Sequence, residues 1–164
     1  MIDMPITEPL KRAIIAGILG TLLFSFVMEI IVWLHGPRFD VPLWDGGFVT
    51  LNPQVAVLIG YVLEFAIGVG LAYLYLRTLA SRQPRETLTR GALFGFALWL
   101  FLMVIGMPLF TWLSPVVQNG MTLAPGFFLW HYGLMGSITW LLALEAFGTG
   151  VSYVTEQANW RVGR

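Results

Sequence analysis

Four apolar runs divide the chain: Ala13 to Leu34, Pro53 to Leu76, Gly91 to Leu113 and Gly126 to Val151, about 22, 24, 23 and 26 residues long. Each reaches the ~20 residues that an α-helix needs to cross the hydrocarbon core of a bilayer. The segments between them, HGPRFDVPLWDGGFVTLN, RTLASRQPRETLTR and SPVVQNGMTLA, carry the Gly, Pro and Asn punctuation of turns. The pattern predicts an all-α polytopic membrane protein, a single membrane domain over residues 1–164. Its four transmembrane helices, over 13–34, 53–76, 91–113 and 126–151, form one bundle of two tandem helical hairpins.

Composition agrees with lipid as the solvent. Apolar residues make up 57% of the 164 and charged residues 11%, with mean hydropathy +0.78, more apolar side chain than a water-soluble fold can bury. Nine Lys and Arg balance nine Asp and Glu, so there is no electrostatic footprint for a nucleic-acid partner. With no cysteine, disulfides, thiolate metal sites and thiol nucleophiles drop out. The opening MIDMPITEPLKR has acids and prolines where a secretory leader is basic, and the run behind it is too long for a leader's apolar core, so the first span is expected to be retained.

The basic residues predict the orientation, because Lys and Arg are held on the cytoplasmic side during insertion. Lys11, Arg12, Arg77, Arg82, Arg85, Arg90, Arg161 and Arg164 fall on one side and Arg38 alone on the other, which predicts both termini in the cytoplasm of a bacterial inner (cytoplasmic) membrane. Trp33, Trp44, Trp112 and Trp130 then gather at the outer boundary and Trp160 beyond the inner one, as an interfacial aromatic belt. The first outer loop, with Phe39, Trp44 and Phe48, reads as lying along the interface or against a partner.

Ionisable residues within the spans carry the candidate chemistry. Glu29, Glu64, His131 and Glu145 sit at membrane depth, where a charge costs ~2.5–3.5 kcal/mol on insertion scales, so such residues turn inward and are functional by default. Gly17, Thr21, Ser25 and Glu29 recur every four residues on the first helix, as do Gly60, Glu64, Gly68 and Ala72 on the second, placing both carboxylates on small, packable stripes. His131 and Glu145, fourteen residues apart, share a face of the fourth helix at ~21 Å separation. If the helices meet, Glu29, Glu64 and His131 form a ligand set for a divalent metal such as Zn, Mn or Fe. Haem ligated by His131 with Met28, Met103 or Met107 is the other cofactor these side chains allow. Equally, a membrane carboxyl can stay protonated and hydrogen-bond a Ser, Thr or carbonyl of a neighbouring helix. Gly106-Met107-Pro108 predicts a kink in the third helix.

A short internal repeat is also visible. Arg12-Ala13 with Gly17 recurs as Arg90-Gly91 with Gly95, and Glu64 to Gly68 pairs with His131 to Gly133 and Gly136. The arrangement corresponds to two hairpins related by an axis along the membrane normal. In the stretches GYVLEFAIGVGLAYLY, TRGALFGFALWLFLMVIGMPLF and LWHYGLMGSITW the chain resembles a family of small, uncharacterised bacterial four-helix inner-membrane proteins. That family has a Gly-rich first helix, an Arg-Gly-Ala opening to the third, and a His four residues before a Gly in the second and fourth. Here Glu64 stands in place of the second-helix His, and Gly136 comes one residue late after His131. The resemblance implies a fold more than an activity.

Three functions stay open at this stage. The first is a non-catalytic subunit or accessory protein of a larger inner-membrane complex, respiratory or otherwise electron-transferring, with membrane lipid and other membrane subunits or further copies of itself as partners. The second is a metal- or haem-binding redox bundle using Glu29, Glu64 and His131. The third is a small transporter or proton path. No nucleophile–base pair is evident, so catalysis of the soluble-enzyme kind is not expected.

Overall fold

A computed structural model describes residues 7–80 and 87–162, with side chains over 9–80 and 87–156. All the regular structure among the described residues is helical: α1 (Thr7–Trp33), α2 (Val41–Gly46), α3 (Pro53–Thr78), α4 (Thr87–Phe101), α5 (Met107–Leu113), α6 (Pro115–Gln118) and α7 (Gly133–Val162). A π-helical turn, Leu102–Gly106, joins α4 to α5, and an irregular turn, Phe127–Tyr132, leads into α7. Four stretches are long and apolar enough to cross a membrane: Pro9–Trp33, Pro53–Thr78, Thr87–Leu113 and Phe127–Glu156. The protein is a multi-pass membrane protein with the all-α, four-helix architecture that the hydropathy pattern predicts.

The spanning helices pack in the order α3, α1, α7, α4, with α7 seated between α1 and α4. Within each hairpin the backbones come close enough to exclude a side chain. A Cβ added at Gly17 would lie 2.5 Å from the Val69 Cα, and one at Gly68 2.0 Å from the Thr21 Oγ1. In the second hairpin a Cβ at Gly95 would lie 2.4 Å from the Leu144 carbonyl oxygen, and one at Gly148 2.3 Å from that of Gly91. Small residues matter here because lipid tails are as apolar as leucine, so helices associate by close contact rather than by hydrophobic expulsion. Gly17 and Gly95, matched in the sequence, thus occupy matching crossings. Gly95 meets Leu144 and Glu145 where Gly17 meets Gly68 and Val69, so the counterpart of the Glu64 to Gly68 stretch lies mid-way along α7, not at His131 to Gly136.

Two features depart from the expected helices. The first loop folds back into the bundle. Asp40 caps α2 by accepting from the Leu43 N–H, Pro42 occupies its first turn, and Gly46 and Gly60 bring α2 against α3. Trp44, expected at the interface, is instead 3% exposed; it stacks on Trp140 at 6.2 Å and donates from Nε1 to the Thr122 Oγ1 at 3.0 Å. Phe39 packs with it, whereas Phe48 stays exposed, so the loop serves mainly as the bundle's own plug rather than as an aromatic docking face. Trp33, Trp112 and Trp130 do remain more than four-fifths exposed at this same end, as a belt requires.

The fourth span is the second departure. Its helix begins at Gly133, not Gly126, because Phe128 and Leu129 both adopt left-handed backbone, with φ of 51° and 56°. Such a conformation costs an L-residue ~1–2 kcal/mol. Full burial of Leu129, a hydrogen bond from the Ser137 hydroxyl to the Phe128 carbonyl, and one from Trp99 Nε1 to the Ser137 carbonyl at 3.0 Å hold it in place. Where the third span is expected to kink, it carries a π-helical turn immediately before Met107 and Pro108, whose missing N–H cannot continue the α-ladder.

Among the described glycines the closest approach is between α2 and α3: a Cβ at Gly60 would lie 1.7 Å from the Pro42 carbonyl oxygen. Gly60→Ala is expected to cost about 1–3 kcal/mol through forced backbone movement. Gly70→Ala, where nothing lies within 4 Å, should leave stability unchanged or raise it. Thermal unfolding of the two variants in one detergent checks the contrast, and equal midpoints would show that α2 is not docked there.

Candidate functional site

The α1–α3 crossing places Gly17, Thr21 and Ser25 along one side and Glu64 and Gly68 along the other, as the four-residue spacing predicts. Ser25 donates from Oγ to the Glu64 Oε1 at 3.1 Å, which is the interhelical hydrogen bond that a structural carboxyl makes. Because α2 docks on α3 one turn away at Gly60, Asp45 is carried into the field of Glu64. Two carboxyl groups from different elements therefore face one space.

That space is a half-open cavity of about 170 Å³. Thr21 and Phe24 of α1 and Trp140, Leu144 and Phe147 of α7 form its back wall, and α2 contributes Val41 and Asp45. Its sides are Glu64, Ile67 and Leu71 of α3 and Leu102 of the π-helical turn. These sides belong to two spans that pack little on each other, with Tyr75 and Phe94 in edge-to-face contact between them. The surface is almost wholly apolar, with no basic residue in the lining. Trp140 is 6% exposed, and its indole N–H has no acceptor among the described residues.

Asp45 lies in the loop between spans, and burial pushes its carboxyl up from the usual 3.8 to about 7, with repulsion from Glu64 adding to the effect. The causes are loss of water around the charged form and a like charge nearby. No hydrogen bond to the Asp45 side chain is found among the described residues to offset either.

The other residues singled out in the sequence are not brought to this cavity. Glu29, at the end of the α1 stripe, is exposed and is not among the lining residues. His131 lies in the irregular turn outside α7, is exposed, and has its Nδ1 2.8 Å from the Ala124 carbonyl oxygen. Since a carbonyl only accepts, that nitrogen carries the proton. Glu145 is half-buried on α7 beside Gly95 of α4, and with His131 off the helix the two no longer share a helical face. No group of three or more His, Asp or Glu that could hold a metal occurs among the described residues, so Glu29, Glu64 and His131 do not form the expected ligand set. Of the residues named for haem ligation, His131 is exposed, Met28 is half-buried, and Met103 and Met107 are buried.

A second polar cluster, at the end of the bundle that bears the termini, had escaped sequence reasoning. Glu156 is 2% exposed and accepts from the Tyr75 hydroxyl at 2.8 Å and from the Thr87 hydroxyl. Arg90 acts electrostatically on the same tyrosine and donates to the Leu79 carbonyl oxygen at 3.3 Å. The cluster ties α3, α4 and α7 together opposite α2. Only the extension of α7 beyond residue 151 buries Glu156, so a span ended at Val151 leaves it in solvent.

Compared with protein-family models, curated proteins and solved structures, the chain matches none of them.

A buried acid whose folded pKa exceeds its unfolded one holds a proton that unfolding releases, so stability falls as pH rises between the two values. For Asp45 that window runs from 3.8 to about 7. Asp45→Asn removes the penalty. Its gain in thermal midpoint is expected to be small at about pH 4, to grow through the window and to level off above about pH 7, at roughly 2–4 °C for each ~1 kcal/mol of penalty relieved in a chain this size. A pH-independent difference between the variant and the parent would show that Asp45 is solvated.

Proposed function

We propose that this chain is a membrane binding protein or small carrier whose site is the cavity between α1, α3 and α7, closed at one end by α2. The observation that carries this reading is a pair of carboxyl groups, Asp45 and Glu64, set in otherwise apolar walls that lie within a membrane-spanning bundle. Such a cavity takes a small amphiphile by its apolar body and fixes one polar group. A pair of close carboxyls also binds and releases a proton, which links ligand occupancy to pH. Mere structural use of Glu64 accounts for its bond to Ser25, but it does not account for a second half-buried carboxyl brought to the same cavity by a separate element.

The membrane is the bacterial cytoplasmic one, with both termini inside and α2 at the periplasmic end, on the strength of eight basic residues against one. A single cysteine at Leu51 should then react with an impermeant maleimide on intact cells, and one at Ser81 should not.

A second reading, membership of a larger inner-membrane assembly, has its own support in a groove of about 620 Å³ walled by Trp99, Phe128, Trp130 and Leu134. It would accept a partner's transmembrane helix.

One preparation separates the two: the protein purified in mild detergent from its native membrane, with its organic extract and its protein complement analysed by mass spectrometry. The carrier reading predicts a small amphiphile held near one per chain and depleted in Leu71→Trp, whose added ring fills the cavity. Constant companion proteins, with identical extracts from parent and variant, would replace it with the assembly reading.

A further inference from the structure

Resting on the reading of the cavity as a ligand site, the inference here concerns what enters it. We propose that the ligand is a small lipophilic organic monocation, an aryl- or alkylammonium, taken up in exchange for a proton held by the Asp45–Glu64 pair.

Charge is the first argument. Both ionisable residues in the lining are acidic, and no Lys, Arg or His stands among the lining residues to balance them. The groups that face the pair from the packed elements are Ser25 and Thr21 on α1 and Trp140 on α7, none of them charged, while the π-helical turn contributes only Leu102. Two carboxyl groups without a fixed counter-charge, in surroundings of low dielectric, are neutral only when both are protonated, or when one is protonated and a cation sits beside the other. The two alternatives compete for the same place: a cation enters, a proton leaves to water, and the charge of the site is unchanged.

The walls supply the second argument. Phe24, Trp140 and Phe147 line the same cavity, and aromatic faces attract organic cations by ~0.5–2 kcal/mol or more when water is excluded. The rings are held rigidly, Phe24 edge-on to Trp140 at 5.5 Å and Trp140 stacked on Trp44. A hydrated metal ion would have to give up its water to surfaces that offer few oxygens, whereas a quaternary or tertiary ammonium has little hydration to lose.

Size is the third. An apolar cavity of ~150 Å³ accommodates benzene. The cavity here, about 170 Å³ and half-open, fits one ring with a short ammonium head and excludes fused polycyclic cations. An uncharged acceptor, such as an aryl ketone, would engage the indole N–H of Trp140 but leave the carboxyl pair without a counter-charge.

The test uses three single-ring probes on the full chain in detergent: benzyltrimethylammonium, its uncharged isostere neopentylbenzene, and the smaller acetophenone as a neutral acceptor. Titration calorimetry in buffers of different ionisation enthalpy gives both affinity and protons released. The proposal predicts that the cation binds at least ~10-fold more tightly than either neutral probe, a difference of ~1.4 kcal/mol. It also predicts that binding releases a proton near neutral pH, and that Glu64→Gln and Asp45→Asn each diminish that release. If a neutral probe binds as well as the cation, or if cation binding releases no proton, the cation assignment is overturned while the cavity stands as a ligand site. If none of the three binds, the reading of the cavity as a ligand site falls with it.

Discussion

Backbone approaching backbone, with glycine at the point of contact, is the constraint on which the rest of this structure depends. In water a helix pair is held by expelling solvent from its apolar faces; in lipid that force is absent, and association comes from the van der Waals contact that close approach allows. Gly17 against Gly68, Gly91 and Gly95 against Gly148 and Leu144, and Gly46 and Gly60 between α2 and α3 are three instances of this rule. Two of them build hairpins. The third has no counterpart in the second hairpin, and it carries the functional reading.

Docking of α2 on α3 inserts a loop into the bundle. Its backbone is satisfied locally, with Asp40 as the cap and i to i−4 hydrogen bonds at Trp44 and Gly47, as irregular backbone near lipid must be. Trp44 then completes an aromatic cluster with Phe39, Phe110, Tyr132 and Trp140. With the plug comes Asp45, whose burial is unfavourable. A carboxyl that costs stability and is placed beside a second carboxyl, at the mouth of a cavity, is what a site spends packing energy to retain. At the other end, hydrogen bonds from Tyr75 and Thr87 to Glu156 tie α3, α4 and α7 together.

Much of this was legible in the sequence, because period and spacing are local properties. The four spans, the interruption before Pro108 and the small-residue stripes through Thr21, Ser25, Glu64 and Gly68 follow from helical geometry alone. What escaped was whatever depends on a loop's path. Trp44 reads as interfacial by composition, and nothing in DVPLWDGG says that Gly46 will meet Ala56, and Pro42 will meet Gly60, across a helix crossing. Asp45 was therefore overlooked, although a carboxyl beside a Gly-Gly pair in a loop bounded by Asp40 and Asn52 caps is a signal that a compact turn exists. His131 was misplaced for the opposite reason: an apolar run looks helical whether or not its first residues are, and left-handed backbone at Phe128 and Leu129 leaves no trace in hydropathy. Glu156 was missed because α7 runs on to Val162, about three turns past Val151.

The account stands on α2 lying inside the bundle with Asp45 against Glu64. Infrared spectroscopy of the protein across a pH titration, comparing the parent with Asp45→Asn and Glu64→Gln, measures that arrangement directly through the protonated-carboxyl band. The account predicts a band that is missing in Asp45→Asn, titrates at about pH 7 in the parent, and moves to lower pH in Glu64→Gln as the repulsion is removed. An Asp45 band that vanishes in the ordinary aspartate range and ignores the charge at position 64 would place the loop in water and contradict it.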